Sequence, residues 1–313
     1  LLHKHYDVTL FEKNDYIGGH TATVDVDVSG IKYAIDTGFI VFNDRTYPYF
    51  EKLLKHIGVD KQKTEMSFSV HNDATGFEYN GHTFTSLFAQ RRNIFRPKFW
   101  RLLYDIVRFN KLCKVIHEQG KYKADQSLGQ LLDEHHFNDF FKYHYILPMG
   151  AAIWSSSIKE MENVGVEFFV KFFFNHGLLD VTNRPQWYVV PGGSRQYIKP
   201  LIRGFADKIK LNTNIKSVTR QDDEVTIEFA NGEQSKFDKV IFACHSDQAL
   251  ALLGDATEQE KSVLGAIAYT ENSVVLHTDI NLLPDRKAAW ASWNYLLNNN
   301  TDKAAVVTYQ MNI

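Results

Sequence analysis

The sequence predicts an α/β fold in which a Rossmann-like nucleotide-binding part is interleaved with an α+β part, and three observations carry the prediction. Near the start, Val8-Thr9-Leu10-Phe11-Glu12 reads as an apolar strand ending in an acid, followed closely by Gly18-Gly19-His20. An acid at a strand end accepts hydrogen bonds from a ribose, and paired glycines let backbone approach a pyrophosphate. Far along the chain, Trp187-Tyr188-Val189-Val190-Pro191-Gly192-Gly193-Ser194 is a second strand that runs into glycines. From Lys210 the pattern is again strand-like and leads to Asp238-Lys239-Val240-Ile241-Phe242-Ala243, which reads as a buried strand.

Between these ends the elements follow from periodicity. Residues 22–28 and 31–35 alternate on either side of Ser29-Gly30, which predicts a hairpin. Thr46 to Ile57 carries Phe50, Leu53, Leu54 and Ile57 at helical spacing and stops at Gly58. Residues 65–85 read as short strands with turns at Asn72-Asp73 and Asn80-Gly81, the second a hairpin signal. Residues 97–145 read as helices opened by Pro97 and punctuated near Gly120, and a short helix follows Ser194. Ile215 to Val218, Val225 to Phe229 and a turn at Asn231-Gly232 complete a strand-rich stretch. The expected organisation is a nucleotide-binding domain of residues 1–64 and 188–256, with 65–187 and 257–313 forming a substrate domain. The chain opens inside what reads as a crossover helix, lacks the first strand and its glycine turn, and breaks off in a strand at 308–313. It therefore reads as an internal piece of a longer protein.

Composition narrows the class. The 313 residues are 44% hydrophobic and 23% charged, with a net charge of −2, so no global charge favours nucleic acid. The two cysteines, Cys113 and Cys244, lie far apart, which argues against a disulfide framework and for a reducing, cytoplasmic setting. The histidines, His135-His136 included, show no ligand spacing, so no metal site is expected. No spanning segment is visible.

The order Glu12, Gly18-Gly19-His20, Asp36-Thr37-Gly38, Pro191-Gly192-Gly193 and Asp238 to Ala243 resembles the flavin-containing amine oxidase and phytoene desaturase superfamily. Within it, the chain is similar to a bacterial branch of NAD/FAD-binding amine oxidase-like proteins. The resemblance extends through 147–155 and 290–295. It implies FAD as cofactor, with Glu12 on the adenosine ribose and Gly18, Gly19 and His20 beside the pyrophosphate. Asp36 and Gly38 would shape the flavin side of a cleft, Gly192 and Gly193 would lie near the isoalloxazine, and Val218 would meet the adenine. The implied activity is oxidation of a C–N or C–C unit by hydride transfer to flavin. A lipid or polyene desaturase or isomerase, or a flavin-fold binding protein without turnover, are the alternatives. Flavin carries such chemistry itself, and no catalytic base is assigned to His20, His245 or His277.

Two stretches bear on substrate and partners. Phe168-Phe169-Val170-Lys171-Phe172-Phe173-Phe174 suits either an aromatic core helix or the wall of a lipid-sized cavity. Residues 91–114 hold eight basic residues against one acid, Asp105, with Trp100, Leu103, Tyr104 and Val107 at helical spacing. Such a helix suits a solvated face or a peripheral contact with an anionic membrane.

Overall fold

The structure, a computed structural model, describes residues 1–297, 302 and 306–311. The chain folds as two compact units that exchange segments. The first comprises Leu1–Thr23, Asp36–Phe39 and Ser194–Val275; the second comprises Val24–Ile35, Ile40–Gly193 and the described residues from Leu276 onward. The crossing points fall at the ends of a hairpin, Thr23–Val28 with Ile31–Asp36, and after the glycine pair at 192–193.

In the first unit, strand Leu10–Phe11 pairs in parallel with Ile209–Lys210. The Phe11 ring meets Phe229 and Phe237 edge-on at 5.3 and 5.8 Å, which ties this pair to an antiparallel meander. The meander runs Ile215–Gln221, Glu224–Phe229 and Gln234–Phe237 in chain order. Helix Ser246–Leu252 follows, and helix Glu258–Gly265 begins with a reciprocal cap between Thr257 and Glu260. The stretch 238–243, expected as a strand, carries no ladder. Its alternation survives, with Val240 and Phe242 half-buried and Ile241 73% exposed. A strand needs a neighbour to receive its backbone hydrogen bonds, and no strand lies beside it among the described residues.

In the second unit, Phe42–Asn43 and Gln62–Thr64 both pair antiparallel with Trp187–Val189. A larger sheet takes the order Val306–Tyr309, Trp293–Leu296, Phe68–Asn72, Phe77–Asn80. The strand read over 308–313 thus begins earlier, at Val306, and Asn312 and Ile313 lie outside the described residues. Asn80-Gly81 is not a hairpin turn: Asn80 ends a strand, and its side chain accepts from His82 N at 2.9 Å as the chain enters helix Phe84–Leu87.

Period-two alternation gives that sheet two different faces. Val70, Tyr79 and Tyr295 share one face and join the hydrophobic core. Ser69, His71, Glu78, Asn80 and Asn294 share the other, and all five are buried. Buried polar groups must be paired. Residues 286–291 supply part of that pairing: Arg286 ion-pairs with Glu78, Asn80 Nδ2 donates to Trp290 O at 2.7 Å, and Asn294 Nδ2 donates to Ala291 O at 2.6 Å.

Helix Pro97–Gln119 has Pro at its first turn, where no N–H is needed, and ends at left-handed Gly120. It buries Phe99, Leu102, Phe109 and Cys113. Asp105 is fully buried on the same helix and is held by Arg101 at 3.0 Å and Arg108 at 3.1 Å. Helix Val166–Asn175 lays Phe169 and Phe173 into the core, their rings stacked at 4.1 Å. Phe169 and Phe173 of the Phe run are therefore core residues, while Phe168 is 55% exposed.

Candidate cofactor site

The expected glycine turn is built within the first unit from three separated segments. Gly18 has φ +124°, and a side chain there would stand 2.8 Å from Ile198 Cδ1 and 2.9 Å from Thr21 O. Glycine is demanded by both conformation and space. Gly38 faces the same turn from 18 residues on. Phe39 N donates to His20 O at 2.7 Å and Thr37 N to Ala22 O at 2.9 Å, so backbone packs directly on backbone. A Cβ on Gly38 would come within 2.1 Å of His20 O.

Asp36 locks the third segment to these two. Its buried carboxylate accepts from Ser194 N at 2.9 Å to each oxygen, from Ser194 Oγ at 2.9 Å and from Thr23 Oγ1 at 2.6 Å. Thr23 Oγ1 in turn accepts from Arg195 N at 3.1 Å. One carboxylate thus fixes Ser194, the first residue of the turn Ser194–Tyr197. A hydrogen bond between Thr21 and Tyr197 closes the knot. Ser194, Thr23, Thr21 and Tyr197 were not legible as site residues. Only the serine following Gly192-Gly193 hinted at one of them, and its acid partner lies 158 residues away.

Glu12 sits at the strand end and is half-buried. Its Oε1 accepts from Asn14 N at 2.9 Å, and Oε2 has no partner among the described residues. Gly18, Gly19 and His20 are exposed. The His20 ring lies 5.6 Å from His245, which stacks on Tyr269 at 4.4 Å. Tyr269, Cys244 and Val218 line an open cavity of about 900 Å³, walled also by Val240, Phe242 and Leu253. Val218 is 2% exposed, and its carbonyl accepts from Gly254 N at 2.9 Å. Gly192 and Gly193 belong to the second unit, where Gly193 N donates to Val190 O at 3.0 Å. His277 is also in that unit, bonded locally by Asp279 N.

These features fit a bound dinucleotide: an exposed glycine turn of positive φ, a Glu12 carboxylate oxygen without a partner among the described residues, and a cavity lined by Val218, Cys244 and Tyr269. No curated protein matches the chain. Among solved structures, cyclohexylamine oxidase from Brevibacterium oxydans superposes with a TM-score of 0.60 at 14% identity, over 84% of this chain and 58% of that one. Putrescine oxidase bound to putrescine gives 0.58 at 15% identity, over 84% and 58%. A fatty acid isomerase from P. acnes that produces CLA gives 0.53 at 14% identity, over 82% and 57%. The chain therefore spans under two thirds of each of these proteins, and identities at this level speak for the fold alone. A family model, flavin containing amine oxidoreductase, matches residues 1–291. With it the expected α/β class and the expected cofactor, FAD, both stand. The chain belongs to the flavin containing amine oxidoreductase family.

Proposed function

We propose that the protein is an FAD-dependent oxidoreductase that oxidises a C–N or C–C unit of an organic substrate, with the first unit holding the nucleotide and the second serving the substrate. The observation that carries this reading is the Gly18–His20 turn, left exposed while its back is sealed by Gly38 and locked through Asp36 to Ser194. When bound, FAD supplies a two-electron acceptor for hydride. The chain's own residues bind and orient. Glu12 Oε2 would accept from the adenosine ribose, and the backbone of Gly18, Gly19 and His20 would face the pyrophosphate. Val218 would line the nucleotide side of the cavity. Gly192 and Gly193 would allow close approach of the ring system. Asp36 reads best as a positioning residue, since Ser194 and Thr23 already engage its carboxylate.

Of the two bond types, C–N oxidation has the better support. One of the two stretches that favour an apolar substrate, the Phe run, has Phe169 and Phe173 spent in the core. Two free thiols, one buried and one exposed, support a cytoplasmic setting. No helix among the described residues is long and apolar enough to cross a membrane.

Anaerobic titration of the full-length flavoprotein tests the proposal, with amines such as putrescine and cyclohexylamine run against an unsaturated fatty acid. Bleaching of the flavin band by an amine is expected. Bleaching by the fatty acid alone would favour the C–C reading. A flavoprotein that neither class reduces, and that isomerises neither, would contradict the assignment as an oxidoreductase.

A further inference from the structure

The helix Pro97–Gln119 is apolar on the side it buries and again on part of the side it exposes. Trp100, Tyr104 and Val107 are spaced i, i+4, i+7 and fall on one stripe. They are 49%, 59% and 57% exposed. At the helix start the stripe widens. Phe84 and Trp100 both pack on Phe88, at 4.9 and 5.7 Å, and Trp100 Nε1 donates to Ile94 O at 2.8 Å. Phe84 and Phe95 are themselves 77% and 86% exposed. Rings left in water at this density mark an interaction surface.

The charges around the stripe identify what it meets. Arg91, Arg92, Arg96, Lys98, Arg101, Arg108, Lys111 and Lys114 lie within 91–114, in a protein whose net charge is −2. The single acid of the segment, Asp105, is sealed in the core and held by Arg101 and Arg108. Arg91, Lys98 and Lys111 are exposed and have no carboxylate partner among the described residues. The core of a protein–protein interface is depleted in lysine. Tryptophan and tyrosine with flanking cations instead match the headgroup level of an anionic bilayer.

We infer that the face formed by Phe84, Phe95, Trp100, Tyr104 and Val107 docks on an anionic membrane surface, with Arg91 and Lys111 against the lipid headgroups. The inference does not rest on the flavin reading, because every residue in it belongs to the second unit and none is in the cofactor site.

Co-sedimentation of the full-length protein with vesicles tests it, comparing phosphatidylcholine alone with phosphatidylcholine mixed with phosphatidylglycerol. Binding to the mixed vesicles only, weakening as salt rises, is expected. The double variant Arg91→Gln/Lys111→Gln should lose roughly thirtyfold in affinity. Phe95→Ser/Tyr104→Ser should lose binding at low and high salt alike, with unchanged circular dichroism as the check on folding. Protein that stays in solution with both vesicles, or binds both equally, would overturn the inference, and an acidic protein partner would then be the better occupant. Undiminished binding by Phe95→Ser/Tyr104→Ser would overturn insertion of the stripe.

Discussion

Asp36 carries more of the site than its exposure would suggest. It satisfies Ser194 N, Ser194 Oγ and Thr23 Oγ1 at once. Each buried donor left without an acceptor costs about 1 kcal/mol or more, so Asp36→Ala should lose about 3 kcal/mol of stability in urea denaturation. Asp36→Asn keeps one acceptor oxygen and should lose less. A change below about 0.5 kcal/mol for the alanine variant would mean that water replaces the carboxylate freely. Gly38→Ala tests the other half of the knot. Its new methyl would displace His20 O, and the expected result is a folded protein whose FAD affinity falls by at least about tenfold, measured by flavin fluorescence. The glycines were legible because φ +124° at Gly18 and a 2.1 Å approach at Gly38 strain any side chain placed there. The lock was not legible, because nothing local to Asp36 announces a partner that the fold brings from 158 positions away.

At the scale of elements, what periodicity could read was helix and hairpin, and what it misread depended on neighbours. Helix Pro97–Gln119 lies where proline and a closing glycine put it, and the helix read from Thr46 to Ile57 starts at Pro48 and stops at Gly58. Asn80-Gly81 has the residues of a hairpin turn, but no strand follows to pair with Phe77–Asn80, and the chain turns into a helix. The buried polar face of the larger sheet was also hidden from sequence, since alternation shows that two faces differ and not that both are covered. Two histidines of the second unit make its stability pH-dependent. Burial lowers the pKa of His71 below its ordinary 6.5, and burial also lowers that of His144, in the π turn Lys142–Ile146. The carbonyl of His144 accepts from Tyr79 OH at 2.8 Å. Both imidazoles protonate more readily in the unfolded chain, so the unfolded state binds more protons and stability rises with pH. Their contribution is present above about pH 6.5 and is lost as pH falls through the lower folded values. The urea midpoint should therefore drop between about pH 7.5 and pH 5, and His71→Gln/His144→Gln should flatten that drop. An unchanged slope in the double variant would assign the acid sensitivity to other groups.

At the scale of the molecule, the chain folds as two units that trade segments. We read the unit of Leu1–Thr23, Asp36–Phe39 and Ser194–Val275 as the nucleotide-binding lobe. Its boundaries are narrower in the first half than periodicity suggested, because Phe42–Asn43 and Gln62–Thr64 find their partner in Trp187–Val189. They extend further in the second half, because helix Glu258–Gly265 packs with Ser246–Leu252. Family membership was legible from linked motifs in order, since several motifs together arise by accident far more rarely than any one of them. Substrate class was less so, because apolar runs fill cores and line cavities with the same residues. The most direct measurement is the absorbance spectrum of the full-length protein, purified without added cofactor and then denatured. Oxidised-flavin bands, with about one FAD released per chain, are the predicted result. A folded, colourless protein that cannot be reconstituted with FAD would contradict the cofactor site and the proposed activity together.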